Sequence, residues 1–274
     1  MTNIIFFEGE QLKKYAPFDR LAAGRGFAIV MSDGTHVLIT AFQRKDSPML
    51  PGIDVSHWQK EIDWTLVKKA GVRFAFYKAT EVPLGKTDVF VDPQLGNNAA
   101  GTAANRIHGA PYHFFRTHIP GDYQAVAFIE TVRDLPFSLA PVIDLELAGL
   151  RGKPMCEQVL AFLLRVEDAF HAKPIIYTSG SFWRTYMIHD KFTNVIPFAG
   201  YTLWQAQWGF TMPRPIFPFP MASFWQYSET GRIPGVITHV DLDYFMGDEI
   251  GLLPLMCLNR YTKKKPPTEE RLQT

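Results

Sequence analysis

The chain has 274 residues, 47% of them hydrophobic and 14% aromatic, enough to bury the core of one large domain plus a small accessory piece. Its 28 Lys and Arg nearly balance 27 Asp and Glu, so no net field gathers nucleic acid or acidic lipid, and no nucleic-acid partner is expected. No run approaches the roughly 18 apolar residues of a membrane span, and "MTNIIFFEGEQLKK" lacks the basic start and full apolar core of a signal peptide.

Near the N-terminus, "FAIVMSDGTHVLITAF" sets Asp33-Gly34 between two β-rich runs and predicts a hairpin over residues 27–42. The charged, proline-containing "QRKDSPMLP" reads as a connector. It separates an N-terminal extension, residues 1–48, from a main domain, residues 49–253. The extension is too short for a comfortable core of its own and is expected to pack on the main domain.

From there strands and helices alternate. "PGIDVS" is strand-like, and "IDWTLVKKAG" is a helix with Asp63 as N-cap and Gly71 as stop. "VRFAFYKAT" is the second strand, and Asp92-Pro93 is expected to open a helix running through Arg106. "GAPYHFF", "APVIDLEL" and "PIIYTS" are further strands, alternating with the helices "GDYQAVAFIETVRDL", "MCEQVLAFLLRVEDAFHA" and the short "SFWRTYM". "YTLWQAQW", "ASFWQYS" and "THVDLDYF" then follow as strands with no helices between them. Eight strands and five helices predict an α/β barrel whose last connections have lost their helices. Residues 254–274, ending in "RYTKKKPPTEERLQT", read as a polar, disordered tail.

Acids gather at the predicted strand ends. In "APVIDLELAG", alternation turns Asp144 and Glu146 to the same side, next to the loop where such barrels assemble their sites. Asp54 ends the first strand, and Asp241 and Asp243 are expected to end the last, which neighbours the first in a closed barrel. No basic residue stands beside them in sequence, so crowding should raise at least one pKa. Asp243 is the weakest member, its side chain expected to meet solvent. Tyr77, Tyr112, Tyr177, Trp204, Trp208, Trp225 and Tyr227 lie in or just after strands, where aromatic faces can stack on sugar rings.

His113 and His118 are five apart, which places them on opposite faces of a strand rather than on one ligating face, so no metal site and no cofactor are expected. Cys156 and Cys257 are too distant in sequence for a metal motif and read as free buried thiols. There is no phosphate loop and no G-x-S-x-G elbow.

The blocks "GIDVSHWQKEIDW", "GVRFAFYKATE", "APYHFF", "PVIDLEL", "PIIYTS", "LWQAQW", "FWQYSETGRIPG" and "VDLDYF" resemble, in order and spacing, the glycoside hydrolase family 25 lysozymes, the Chalaropsis-type muramidases. The resemblance covers about residues 50–250 and leaves the first 48 outside it. It implies a (β/α)5β3 barrel that cleaves the β-1,4 bond between N-acetylmuramic acid and N-acetylglucosamine in peptidoglycan glycan strands. It implies Glu146 as proton donor, Asp144 as its assisting partner, and Asp54 and Asp241 as the rest of the acidic centre. Tyr77, Tyr112, Tyr177, Trp204 and Trp225 are the expected sugar-binding residues; Tyr112 and Tyr177 carry over by resemblance, and the others follow from their strand positions. Two departures stand out: "ATEVP" lacks the family's usual glycine after Glu81, and Asp243 replaces a commoner neutral residue.

The expected protein is a monomer that reaches the bacterial cell wall by release or delivery, as a phage lysin or antibacterial effector, with the N-terminal extension contacting a partner or the wall. The alternative from another class is a catalytically silent glycan-binding barrel serving adhesion or assembly. A polysaccharide deacetylase would need a metal-ligand cluster that the sequence does not offer.

Overall fold

The computed structural model describes residues 48–86, 88–209 and 211–257, without the side chains of 190–193, together with the backbone of three N-terminal strands. Those strands, β1 (Asn3–Glu8), β2 (Arg25–Val30) and β3 (His36–Ala41), form an antiparallel sheet in the order β1-β2-β3. The β2–β3 pair, with Val30 opposite His36, is the expected hairpin; β1 adds an edge that the Asp-Gly signal did not reveal. The turn itself and the expected docking of the extension lie outside the described residues.

The main domain opens with β4 (Leu50–Val55) and α1 (Trp64–Lys69). The Asp63 carboxylate accepts the Thr65 and Leu66 N–H groups at 2.9 and 3.0 Å, satisfying donors that a helix start leaves open. The chain leaves the helix at Gly71, whose φ of +96° suits glycine. Next come β5 (Phe74–Glu81), the short β6 (Phe90–Val91), α2 (Leu95–Ala104) and β7 (His108–Phe114). The α2 helix starts later than expected because Asp92 is used elsewhere: one oxygen accepts the Gln94 N–H in a turn and the other binds His57.

The remaining elements are α3 (Gly121–Val132), β8 (Val142–Leu145), α4 (Gly152–Phe170), β9 (Ile175–Ser179), α5 (Gly180–Phe182), β10 (Thr202–Ala206), β11 (Phe224–Gly231), β12 (Val240–Phe245) and α6 (Glu249–Leu252). Along α4, Met155, Val159, Phe162, Val166 and Phe170 recur at helical spacing and form its buried stripe.

The main sheet has nine strands. β6 hangs on β5, and the other eight close a barrel because β4 pairs with both β5 and β12. From β4 through β11 the barrel neighbours run parallel, whereas β12 runs antiparallel to both β11 and β4. This corrects the placement of Asp241 and Asp243. They lie near the start of β12, and its reversed direction brings that start to the rim where the other strands end. The final residues also differ from expectation: Ala140 N–H donates to Leu255 O and Cys257 N–H to Ser138 O, so the packed domain continues to 257.

Inside the barrel the inward alternation of β5, β10 and β11 stacks aromatic rings into a floor. Phe76 lies 4.3 Å from Trp204 between centroids, and Phe224 lies 5.1 Å from both Phe74 and Phe76. Gly52 makes room for this layer, since a Cβ there would meet the Phe74 ring at 2.2 Å. We expect Gly52→Ala to overpack the floor and cost about 1–3 kcal/mol. Thermal unfolding checks this: a Tm within one degree of the wild type would show that the floor yields freely.

Candidate active site

Above the aromatic floor the rim of the barrel holds a cavity of about 350 Å³. Asp54, Asp144, Glu146 and Asp241 all line it, as do Tyr112, Tyr177 and Trp204. Four acids from three strands thus converge as the alternation of β4, β8 and β12 requires. Asp54 and Asp241 are direct partners in the β4–β12 register, and Asp144 stands beside Tyr177 across β8–β9.

Tyr77 and Trp225 do not line the cavity. Tyr77 falls between the inward Phe76 and Lys78, so it turns to the outer layer; there it is fully buried and its hydroxyl donates to Pro136 O at 3.4 Å. Trp225 falls between the inward Phe224 and Gln226, and its indole N–H donates to Gln207 O at 2.7 Å. Both expectations failed for the same reason, a facing set by strand parity.

Asp243 is also corrected. It is only 1% exposed and accepts the Trp204 indole N–H at 2.8 Å, while its Oδ2 has no hydrogen-bond partner among the described residues. Asp54 accepts the Gln226 Nε2–H at 2.8 Å, and the charges of Asp243 and Asp241 bear on it. Burial is the first cause holding Asp54 and Asp243 well above the usual carboxylate range, with neighbouring aspartates adding to it. Burial likewise raises Asp241 to about 6.

The second acid cluster is Asp144 with Glu146. Asp144 is 5% exposed and its Oδ1 has no partner among the described residues. Burial, and then the charge of Glu146, push it well above the normal range. Glu146 lies one residue past the end of β8 and is exposed toward the cavity. Enclosure on its remaining sides raises its carboxyl, and the cations of Lys78 and Arg116 oppose that rise.

Those cations are not sequence neighbours of the acids; the fold brings them in from β5 and from beyond β7. Lys78 follows Phe74 and Phe76 on the inward face of β5 and lines the cavity. It pairs with Glu81 at 3.5 Å and lies 4.9 Å over the Phe114 ring. Arg116 binds the same Glu81 oxygen at 2.8 Å. The alternation that placed the acids also placed Lys78. Val82, in the departure "ATEVP", is fully buried, and β6 returns to pair with Thr80 and Glu81.

Gln226 is likewise brought in by the fold. Its Oε1 accepts the Tyr177 hydroxyl at 2.9 Å and the Trp208 indole N–H at 3.2 Å, so one amide ties two aromatic walls to Asp54. Trp58 and Trp208, 73% and 57% exposed, stand open along the cavity with faces available for stacking.

His113 binds Thr80 Oγ1 at 2.7 Å and Gln124 Oε1 at 3.0 Å, and burial lowers its pKa to about 4. His118 lies beyond the end of β7. Cys156 and Cys257 are free and buried, and burial raises each thiol to about 11.

A barrel that opens a carboxylate-lined, aromatic-walled cleft at its strand ends has the site of a sugar-cleaving enzyme. The model described as "Glycosyl hydrolases family 25" matches residues 53–236, and the chain belongs to that family of glycoside hydrolases. It is 36% identical over 223 residues to "Lysozyme M1" of Streptomyces globisporus, covering 77% of this chain and 72% of that protein. The crystal structure of the bacterial lysozyme from Streptomyces coelicolor superposes with a TM-score of 0.66 at 32% identity, over 78% of this chain and 99% of that one. "Uncharacterized protein YegX" of Escherichia coli O157:H7 is 33% identical over 254 residues, 90% of this chain and 84% of its own. That span is longer than residues 48–274 alone supply, so it takes in part of the N-terminal extension.

The electrostatics set a pH dependence. Raised carboxyls bind protons in the folded state that the unfolded chain has released, so their stabilisation is present at low pH and is lost as pH rises through the folded values. Asp54, Asp144, Glu146, Asp241 and Asp243 all act in that direction. His113, lowered to about 4, opposes them, since the unfolded imidazole binds its proton at higher pH than the folded one. Five groups against one predict that urea unfolding will give a larger free energy at pH 5 than at pH 7. The reverse order would mean that the acids are ionised without cost.

Proposed function

We propose that this glycoside hydrolase is a peptidoglycan muramidase in which Glu146 donates a proton to the bond between N-acetylmuramic acid and N-acetylglucosamine, with Asp144 as its charged partner. One observation carries the assignment of roles: of the two carboxyls at the end of β8 that line the cavity, Glu146 is exposed and Asp144 is buried. A general acid must reach the leaving oxygen before its pKa matters. Cleavage requires the proton of this pair to sit on Glu146, which leaves the negative charge on Asp144, where it faces the positive charge that develops on the sugar ring.

The supporting walls fit the same reading. Trp58 and Trp208 offer stacking faces, and Tyr177 is held by Gln226. Burial raises Asp54, Asp241 and Asp243 together, which limits the negative charge beside the reacting ring. Lys78, which also pairs with Glu81, opposes the rise of both Asp144 and Glu146.

The relative "Lysozyme M1" supports peptidoglycan as the substrate. No helix among the described residues is long and apolar enough to cross a membrane. The enzyme acts on the bacterial cell wall after release or delivery, in the manner of a lysin or an antibacterial effector. Residues 1–48 serve its targeting, because every residue of the cavity comes after residue 50.

Glu146→Gln keeps the shape of the side chain but has no proton to give, and should lower turnover about 10²–10⁴-fold. Release of new reducing N-acetylmuramic ends from purified peptidoglycan measures it, with circular dichroism to verify the fold. A variant that retains more than about a tenth of wild-type activity moves the acid role to Asp144. For the extension, a chain lacking residues 1–48 should still cleave purified peptidoglycan while losing association with cells. A folded but inactive truncation would make the extension part of the cleft instead.

A further inference from the structure

A second cavity, of about 320 Å³, lies beside the first across the ends of β9 and β10. Ser179, Ser181, Arg184, Gln205, Gln207 and Arg214 line it. Its chemistry is the opposite of its neighbour's. Two exposed arginines border it and, among the described residues, neither makes an ion pair. Gln205 is 2% exposed; its amide N–H donates to Arg214 O at 3.2 Å, and its Oε1 has no partner among the described residues. A guanidinium pair favours a carboxylate or phosphate oxygen, and a buried unmet acceptor favours an N–H or O–H donor.

The two cavities are close enough to share one ligand. Tyr177 and Trp204 face the acidic cleft, and the second cavity begins one or two residues further along the same strands. Gln207 lines one cavity and Trp208 the other, a single residue step of ~3.8 Å between Cα atoms. The divider is fixed: Trp225 Nε1 donates to Gln207 O at 2.7 Å, and Gln207 Nε2 donates to Thr211 O at 3.0 Å.

We infer that this cavity binds a carboxylate and an amide N–H of the peptide substituent of the muramic acid whose sugar ring occupies the acidic cleft. The inference rests on the muramidase reading. An extended peptide covers ~3.3–3.6 Å per residue, so two or three residues cross the divider and bring a side-chain or terminal carboxylate to Arg184 and Arg214. The peptide is favoured over a free anion because it supplies an N–H donor together with the charge, matching both the arginines and the polar floor at Gln205.

The test compares peptide-bearing glycan with glycan stripped by an amidase, using the full chain. The wild type should show kcat/KM about tenfold higher on the peptide-bearing strands, the scale of losing one hydrogen bond to a charged group. Arg184→Ala combined with Arg214→Ala should erase that advantage while changing the rate on stripped strands less than about twofold. An advantage equal in wild type and variant overturns the inference. Because both arginines are exposed, the single variants serve if the double one loses its fold. A second arm is independent of turnover: a free L-alanyl-γ-D-glutamyl-L-lysyl-D-alanine peptide is titrated against the arginine Nε–H signals, in parallel with inorganic phosphate. Peptide saturation below the phosphate concentration supports the site even if neither glycan is cleaved. Phosphate binding as tightly as the peptide identifies a general anion site and overturns it.

Discussion

The structure depends on the dehydration of its acids. Five carboxyl groups share the rim of one barrel, and beneath them Phe74, Phe76, Trp204 and Phe224 form a floor with little room for water. Leaving several ionised carboxylates in such a place would cost many kcal/mol, so the cheaper solution is to keep protons. The cost is further reduced by sorting the acids into two groups. Asp54, Asp241 and Asp243 crowd one another across β4 and β12, whereas Asp144 and Glu146 face the cations of Lys78 and Arg116. The acids are thereby separated into two electrostatic environments at one rim.

That separation follows from strand direction. The parallel strands bring their C-terminal ends to the rim, and the antiparallel β12 brings its start there. Asp241 then sits directly across from Asp54, and Asp243, two residues deeper, lies opposite Gly52. Depth explains why Asp243 is buried and reaches Trp204. A parallel β12 would have carried both residues to the other end of the barrel, away from Asp144.

The sequence made most of this legible because a barrel strand has only two faces. Once Asp144 and Glu146 were assigned a common side, Asp54 and Asp241 followed, and the eight-strand count supplied the closure. The same rule, applied to Tyr77 and Trp225, would have excluded them, since each stands next to a residue that must face inward. What sequence spacing could not supply was any partner brought in from another strand. Lys78 is far in sequence from the acids it balances, and Gln226 is 172 residues from Asp54, to which it donates. Asp92 does not open the helix because a helix start and a side-chain partner compete for the same carboxylate, and His57 takes one of its oxygens.

The Asp243 departure has a physical reading in these contacts. A neutral amide at that position could also accept the Trp204 indole N–H, whereas the carboxyl adds a charge that raises Asp54 and one more group whose ionisation the floor resists. Trp204 in turn stacks on Phe76 and on Tyr177, each with centroids 4.3 Å away. Through Gln226, Tyr177 is tied back to Asp54. Contacts thus run from Asp243 through Trp204, Tyr177 and Gln226 to Asp54, and the charge of Asp243 acts back on Asp54, so the walls and the protonation of the acids constrain one another.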